Sequence, residues 1–176
     1  MIHRILSALA VVAVFSLPGQ AEAQRFGPQV SWGDDSDLGL GVRAEWDVGS
    51  WFSGADMPEQ LTRTRIATSF DWFFPGCDDN DLGIECSVDY LEINGNLLVP
   101  VTVGTIDPYV GLGLNVARMS VEVGAVDASD TEVGLNLLGG LNFLLGNYSS
   151  YVEGRFELDG GEQFVLTWGF LLGAVE

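Results

Sequence analysis

The sequence predicts an all-β fold, an eight-stranded antiparallel up-and-down barrel. Apolar and polar residues alternate in every long segment that follows residue 23. Clusters of turn-forming residues separate these segments. The polar positions carry charges, amides and glycines, which suits a narrow interior filled by side chains. These observations indicate a closed sheet with one apolar face and one polar face.

The first half of the chain supplies four predicted strands. In the second of them, Leu40, Val42 and Ala44 alternate with Arg43 and Glu45. In the third strand, apolar and polar residues alternate in the segment that contains Trp72, and in the fourth they alternate in the segment that contains Ile93. Such a period of two is the signature of a strand that has two different environments. The predicted ranges are 26–32, 38–48, 63–73 and 88–99.

The second half repeats the pattern four times. Glycines occupy most polar positions of the fifth strand, and the sixth departs from strict alternation at Leu138 and Leu144. The seventh is the clearest, with Glu153, Arg155 and Glu157 at every second position. The predicted ranges are 109–119, 132–145, 151–158 and 163–173. Eight is an even number, and each segment is about as long as a tilted membrane-spanning strand must be.

The first 23 residues have the features of a signal peptide. A short basic start at Arg4 precedes an apolar stretch, and small residues close it at Ala21 and Ala23. We therefore expect residues 24–176 to form one exported barrel domain. Because exported proteins meet an oxidising environment, the two cysteines, Cys77 and Cys86, are predicted to form a disulfide.

The net charge and the types of residue present limit the classes of function that the chain can have. The formal net charge is -18, and all seven basic residues are arginine. Because phosphate binding needs a positively charged face, we expect no nucleic-acid partner. The one histidine, His3, lies in the predicted signal peptide, which leaves no histidine for acid–base or nucleophilic catalysis. Glu153 and Glu157 remain as a carboxylate pair around Arg155, and we interpret them as a structural ion-pair group. We expect no enzyme activity and no cofactor.

Alternation alone does not say which face points outward, because a soluble ligand-binding barrel also alternates. Two observations favour an apolar outer face in contact with lipid. Aromatic residues cluster near the ends of the apolar stripes, as membrane-interface residues do; they are Trp32, Trp72, Phe73 and Phe74 at one end and Trp46, Trp51, Phe52, Phe143 and Phe170 at the other. The polar face carries charges of both signs, as expected for an enclosed network; its predicted members are Arg43, Glu45, Asp47, Arg63, Arg65, Asp71, Glu92, Glu153, Arg155 and Glu157.

The chain also resembles a known family. The segments LGLGVRA at 38–44 and PYVGLGL at 108–114, with the glycine-rich sixth strand, resemble the bacterial outer-membrane β-barrel domain family of small OmpA/OmpX-like proteins. The resemblance extends over nearly all of 24–176. It implies a transmembrane barrel in the cell outer membrane, in contact with lipid and lipopolysaccharide and inserted by the barrel insertion machinery. We expect it to be a monomer.

The connections fit this topology. Gly146 and Asn147 are suited to a tight hairpin turn, and residues 75–87 and 121–131 are predicted as long acidic loops. The connection at 49–62 is predicted to contain a short helical turn capped by Asp56 with Pro58. The acidic cluster between the cysteines could bind a divalent cation weakly, but a solvated loop closed by the disulfide is the main interpretation; the candidate ligands are Asp78, Asn80, Asp81 and Glu85.

Three classes of function stay open at this point. The first is a structural or surface-interaction protein of the outer membrane, the second a narrow porin-like pore, and the third a soluble periplasmic ligand-binding barrel. Assigning the faces also gives a prediction for two substitutions. Leu112→Arg on the apolar face should block assembly, whereas Asn115→Asp on the polar face should be tolerated.

Overall fold

The computed structural model describes residues 25–49, 58–76, 86–101, 107–123, 126–146, 148–158 and 162–173. These residues form eight strands that pair in chain order, each antiparallel to its neighbours, and β1 closes the barrel against β8. The predicted fold class is therefore confirmed. The strands are β1 Arg25–Gly33, β2 Asp37–Asp47, β3 Arg65–Phe73, β4 Cys86–Pro100, β5 Asp107–Val123, β6 Val126–Leu145, β7 Tyr148–Leu158 and β8 Gln163–Leu171.

One predicted loop is wrong. Residues 121–131 were expected to form a long acidic loop, but β5 continues to Val123 and β6 begins at Val126, with these two residues as Cα partners. Antiparallel pairing is satisfied by backbone groups and does not require apolar side chains. The two strands can therefore continue to pair beyond the part of the barrel that carries the apolar stripe.

The connection between β2 and β3 contains the expected helical turn. Helix α1 covers Glu59–Thr62, directly after Pro58. The carbonyl of Pro58 accepts hydrogen bonds from the N–H groups of Leu61 at 2.9 Å and Thr62 at 3.3 Å. The other predicted capping residue, Asp56, lies outside the described residues. In the described part of the chain, no helix combines the length and apolar character needed to cross a membrane.

Side chains alternate between the two faces of the wall as predicted. Leu112 points outward and is 65% exposed, whereas Arg155 points inward and is 1% exposed. Of the two exceptions noted in the sixth strand, Leu138 is buried inside and Leu144 is exposed near the end of β6. The turn that follows uses Gly146 at a φ of 66°, a backbone conformation that favours glycine; Asn147 lies outside the described residues.

The predicted aromatic groups need one correction. Phe73 lies inside the barrel, fully buried, with its ring 5.6 Å from that of Tyr90. Its neighbours Trp72 and Phe74 are exposed on the outer surface together with Trp32. Because successive residues of a strand point to opposite faces, three consecutive aromatics cannot share one face. Trp51 and Phe52 fall outside the described residues.

Candidate functional site

The interior contains two groups of ion pairs, which together form the candidate site. We call the first the Arg43 cluster, made of Arg25, Arg43, Glu45, Arg65 and Glu153. The second, the Arg155 cluster, consists of Glu92, Arg155 and Glu157. The two clusters lie at different heights because the inward positions of a tilted strand follow one another along the barrel axis.

In the Arg43 cluster, one guanidinium joins two carboxylates from different strands. Arg43 Nη1 donates to Glu153 Oε2 at 2.8 Å, and its Nη2 lies 3.0 Å from Glu45 Oε1. The hydroxyl of Tyr109 donates to the same Glu153 oxygen at 2.8 Å. The guanidinium of Arg43 also lies 4.3 Å from the ring centre of Tyr151, within cation–π distance. The ion pairs and the cation–π contact thus both hold the Arg43 side chain in place.

Glu45 lies at the meeting point of three arginines. Besides Arg43, its carboxylate lies 3.3 Å from Arg25 Nη2 and 3.6 Å from Arg65 Nη1. Arg25, which is the first residue of β1, was not among the predicted network residues. Its side chain is partly exposed, and the signal that could have identified it is the register of β1, which makes it the Cα partner of Glu45.

The Arg155 cluster has the reverse stoichiometry, one arginine between two carboxylates. Arg155 Nη2 donates to Glu92 Oε1 and Oε2 at 3.1 and 3.0 Å, and Nε donates to Glu157 Oε1 at 2.9 Å. The amide of Gln163 donates to the remaining oxygen of Glu157 at 2.8 Å. Charge-assisted bonds of this kind are among the stronger ones in proteins.

Asp71 is a buried carboxylate that is held by neutral hydrogen-bond donors. Its carboxylate accepts hydrogen bonds from Gln29 at 2.6 Å, Ser31 at 3.0 Å and Ser69 at 3.1 Å. Gln29 in turn accepts a short hydrogen bond from the hydroxyl of Tyr151, which packs on Arg43. The buried carboxylate is therefore stabilised by donors from β1 and β3, and the bond between Gln29 and Tyr151 connects it to the surroundings of Arg43.

Four asparagines extend the network on β4, β5 and β6. Asn136 donates to Asn94 at 2.7 Å and to Asn96 at 2.9 Å, while Asn115 donates to Glu92 at 3.4 Å. Alternation placed these amides on the polar face, but the sequence did not mark them as part of a site. Their importance comes from register, since Asn94 and Asn115 are Cα partners.

Two predicted network residues are not sealed inside. The side chains of Asp47 and Arg63 are 34% and 43% exposed, and they lie at the barrel end, 3.6 Å from Arg25 and 3.9 Å from Asp107, respectively. Asp47 is the last residue of β2, and Arg63 precedes β3. Positions at the ends of strands reach water even when they face inward, so alternation alone overestimates how deeply they are enclosed.

This arrangement is suited to holding strands in register. Among the described residues, three buried arginines face five buried carboxylates, and every one of these carboxylates has a nearby arginine or a hydrogen-bond donor. A buried charge without a partner is strongly destabilising. The described part of the chain contains no group of three His, Cys, Asp or Glu residues that could hold a metal ion.

The second predicted site, the acidic loop between the two cysteines, lies largely outside the described residues. Cys77, Asp78, Asn80, Asp81 and Glu85 all belong to 77–85, and Cys86 is described only through the backbone with which β4 begins. The disulfide and the weak cation site therefore stay predictions.

Comparison with known proteins gives matches among solved structures only; no family model and no curated protein matches the chain. Neisserial surface protein A matches with a TM-score of 0.60 at 14% identity, covering 86% of this chain and 96% of that one. A major outer membrane protein from Thermus thermophilus matches with a TM-score of 0.58 at 10% identity, covering 85% and 98%. The N-terminal β-barrel domain of Pseudomonas aeruginosa OprF gives 0.53 at 14% identity, covering 84% and 97%.

These neighbours are outer-membrane proteins, and at such identities the likeness concerns the fold alone. It extends over nearly the full length of each neighbour and over all eight strands of this chain. The chain has the fold of the small eight-stranded outer-membrane β-barrels.

Proposed function

We propose that this protein is an integral β-barrel of the cell outer membrane with a structural or surface-interaction role and no catalysis. The observation that carries the proposal is the outer wall, where large apolar side chains are exposed on all eight strands. Examples, one from each strand, are Val30, Leu40, Trp72, Ile93, Leu112, Leu137, Phe156 and Leu166. An apolar surface of this extent is far larger than the patches that soluble monomers expose, and hydrocarbon is the solvent that suits it.

The interior argues against a soluble ligand-binding barrel. Such a protein would line its cavity with the apolar face, but here the inward positions carry ion pairs and amides, such as Arg43, Glu92 and Asn94. Turning the wall inside out would place these charges in water and the apolar stripe inside. In this barrel the polar face of the wall is enclosed in the interior, and the apolar face is left to contact the surrounding medium.

The interior also argues against an open pore. The side chains of Arg155, Tyr109, Tyr151, Phe73 and Leu98 are all fully buried within the barrel. An eight-stranded barrel has an interior just wide enough for side chains to fill. We therefore expect planar-bilayer recordings to show no conductance above background, and a reproducible conductance would favour a narrow pore instead.

The absence of catalysis is part of the proposal and rests on how the carboxylates are used. Glu153 is bound by Arg43 and Tyr109, and Glu157 by Arg155 and Gln163. Both groups are buried and engaged in structural hydrogen bonds. They are not placed to exchange protons with a substrate in solution.

The proposed partners follow from the proposed location of the barrel in the outer membrane. Lipid and lipopolysaccharide would contact the outer wall, the barrel insertion machinery would assemble it, and the protein would act as a monomer whose residues 1–23 have been removed. One structural neighbour, Ail of Yersinia pestis, was crystallised with the heparin analogue sucrose octasulfate. A net charge of -18 opposes binding of such a polyanion by this chain.

Membrane extraction tests the proposal. Washed membranes from expressing cells should retain the protein through alkaline carbonate, and the detergent-extracted protein should migrate faster on a gel before boiling than after it, because a closed barrel resists detergent until heated. Mass spectrometry of the same band should give the mass of 24–176. Release by carbonate into the soluble fraction would contradict the membrane proposal. A peripheral periplasmic protein serves as the extraction control.

A further inference from the structure

Three strands continue beyond the closed wall of the barrel. On one side, β3 ends at Phe73, which pairs with Tyr90; on the other, β7 ends at Leu158, which pairs with Leu135. Strands β4, β5 and β6 continue past these points and remain paired with one another up to Cys86, Val123 and Val126. We call residues 86–89, 118–123 and 126–134 the extension.

The extension has an open edge along β6. Residues 126–134 pair with β5 on one side, and no other strand pairs with them in the part of the chain that the structure describes. Residues 128–133 are all exposed. Nine residues of strand span about 30 Å, and every second residue presents its N–H and C=O to the open side. Such an edge can pair with an added strand.

The charges of the extension indicate what kind of strand would fit. Asp130 and Glu132 lie on the open strand itself, and Asp89 and Glu122 lie on the two strands behind it, all exposed. Arg118 is the single basic residue of the extension among the described residues. A second copy of the chain would bring carboxylates against carboxylates, which is unfavourable. An extended segment that carries lysine or arginine would bring opposite charges together.

We propose that the open edge of β6 is a docking site for an extended basic segment of another protein, which adds a strand to the extension. Backbone hydrogen bonds to 126–134 hold the segment, and Asp130 and Glu132 select its charge. Accessibility of this edge from the cell exterior rests on the proposed outer-membrane role. The pairing itself depends only on the folded barrel.

Binding to the full chain in lipid nanodiscs tests the proposal independently of cellular location. The probe is a fluorescent nine-residue peptide of alternating lysine and valine. Two control peptides have glutamate in place of lysine, or proline in place of valine; the latter keeps the charge but cannot complete a strand ladder. We expect the lysine–valine peptide alone to bind and to slow amide hydrogen exchange within 126–134.

Charge selection is tested with matched double variants. Asp130→Asn with Glu132→Gln should weaken peptide binding about three- to tenfold, as expected for two exposed ion pairs, and added salt should reduce the difference. Asp35→Asn with Glu162→Gln removes two exposed charges elsewhere at the same end of the barrel and should leave the affinity unchanged. Heat-dependent gel migration verifies that each variant is folded.

Several results would overturn the proposal. Equal binding of the proline peptide would show that charge acts without strand pairing. Absence of binding, or protection of amides outside 126–134 only, would exclude this edge as the site. A concentration-dependent dimer protected at β6 would identify a second copy as the occupant. None of these results would affect carbonate resistance, so the proposed membrane role is tested separately.

Discussion

The guanidinium of Arg155 on β7 donates to both oxygens of the Glu92 carboxylate on β4, at 3.0 and 3.1 Å, although the two residues are 63 positions apart in the chain. Strands β4 and β7 are not neighbours in the sheet, so this pair crosses the interior of the barrel. It connects walls that backbone pairing does not join directly, and it can form only when all strands have the correct register.

Removal of Arg155 should therefore be costly. Arg155→Met leaves Glu92 and Glu157 without their cation, and we expect a loss of about 3–5 kcal/mol in the free energy of unfolding. Glu92→Gln should cost less, because Arg155 retains Glu157. The double variant should show a coupling energy of about 0.5–3 kcal/mol. Urea unfolding in lipid vesicles, followed by tryptophan fluorescence, measures each value.

The matched control for this cycle is Arg118→Met, which removes an arginine that is exposed on β5. Surface substitutions usually change stability by less than about 0.5 kcal/mol. A loss equal to that of Arg155→Met would mean that general charge, and not the pair across the interior, determines stability. Additive effects of Arg155→Met and Glu92→Gln would contradict the direct interaction.

The orientation of the wall predicts the effect of a charge on its outer surface. Leu112→Arg places a cation on the apolar face, which costs about 2–4 kcal/mol near the middle of a bilayer and should block assembly. Thr131→Arg adds the same residue on the polar extension and should assemble normally. Heat-dependent migration of protein from washed membranes reports the folded fraction. Equal assembly of the two variants would argue against lipid contact at Leu112.

The sequence predicted on which face of the barrel wall a side chain lies, but it did not predict which residues that side chain contacts. Alternation indicated that Asn115 points inward, and from this Asn115→Asp was expected to be harmless. The structure shows its amide donating to Glu92 at 3.4 Å in a fully buried position. An aspartate there would bring a carboxylate against Glu92, so this variant should instead be destabilised. The period of a strand fixes the face of a residue, but register decides which residue it meets.

The same reasoning explains the other differences. In the middle of the strands, Arg43 and Glu153 point inward and form a 2.8 Å contact. Asp47 and Arg63 reach the solvent because strand ends are not determined by periodicity. The extension of β6 was missed because residues 127–132 are mostly polar, and hydrophobic patterning contains little signal for a strand that pairs outside the apolar band.

Neighbouring glycines on β4 and β5 should respond differently to a methyl group. A Cβ at Gly113 would come within 2.2 Å of the Gly95 carbonyl oxygen and of Asn96 Oδ1, whereas a Cβ at Gly95 would meet nothing within 4 Å. We therefore expect Gly113→Ala to lower the free energy of unfolding by about 1–3 kcal/mol, as overpacking does, and Gly95→Ala to be nearly neutral. Urea unfolding in vesicles compares the two, and equal losses would contradict the close approach of β4 and β5 at Gly113.

The disulfide predicted between Cys77 and Cys86 gives a test of the segment that precedes β4. Closing so short a loop should stabilise the folded protein by about 2–3 kcal/mol in the chain-entropy model. Reductant should therefore lower the stability of the natural protein but not that of the Cys77→Ser/Cys86→Ser double variant, which is the matched control. Peptide mapping without reductant should recover the linked fragment. Two free thiols in protein purified from the outer membrane would show that the prediction is wrong, and an equal effect of reductant on both proteins would show that the reagent acts elsewhere.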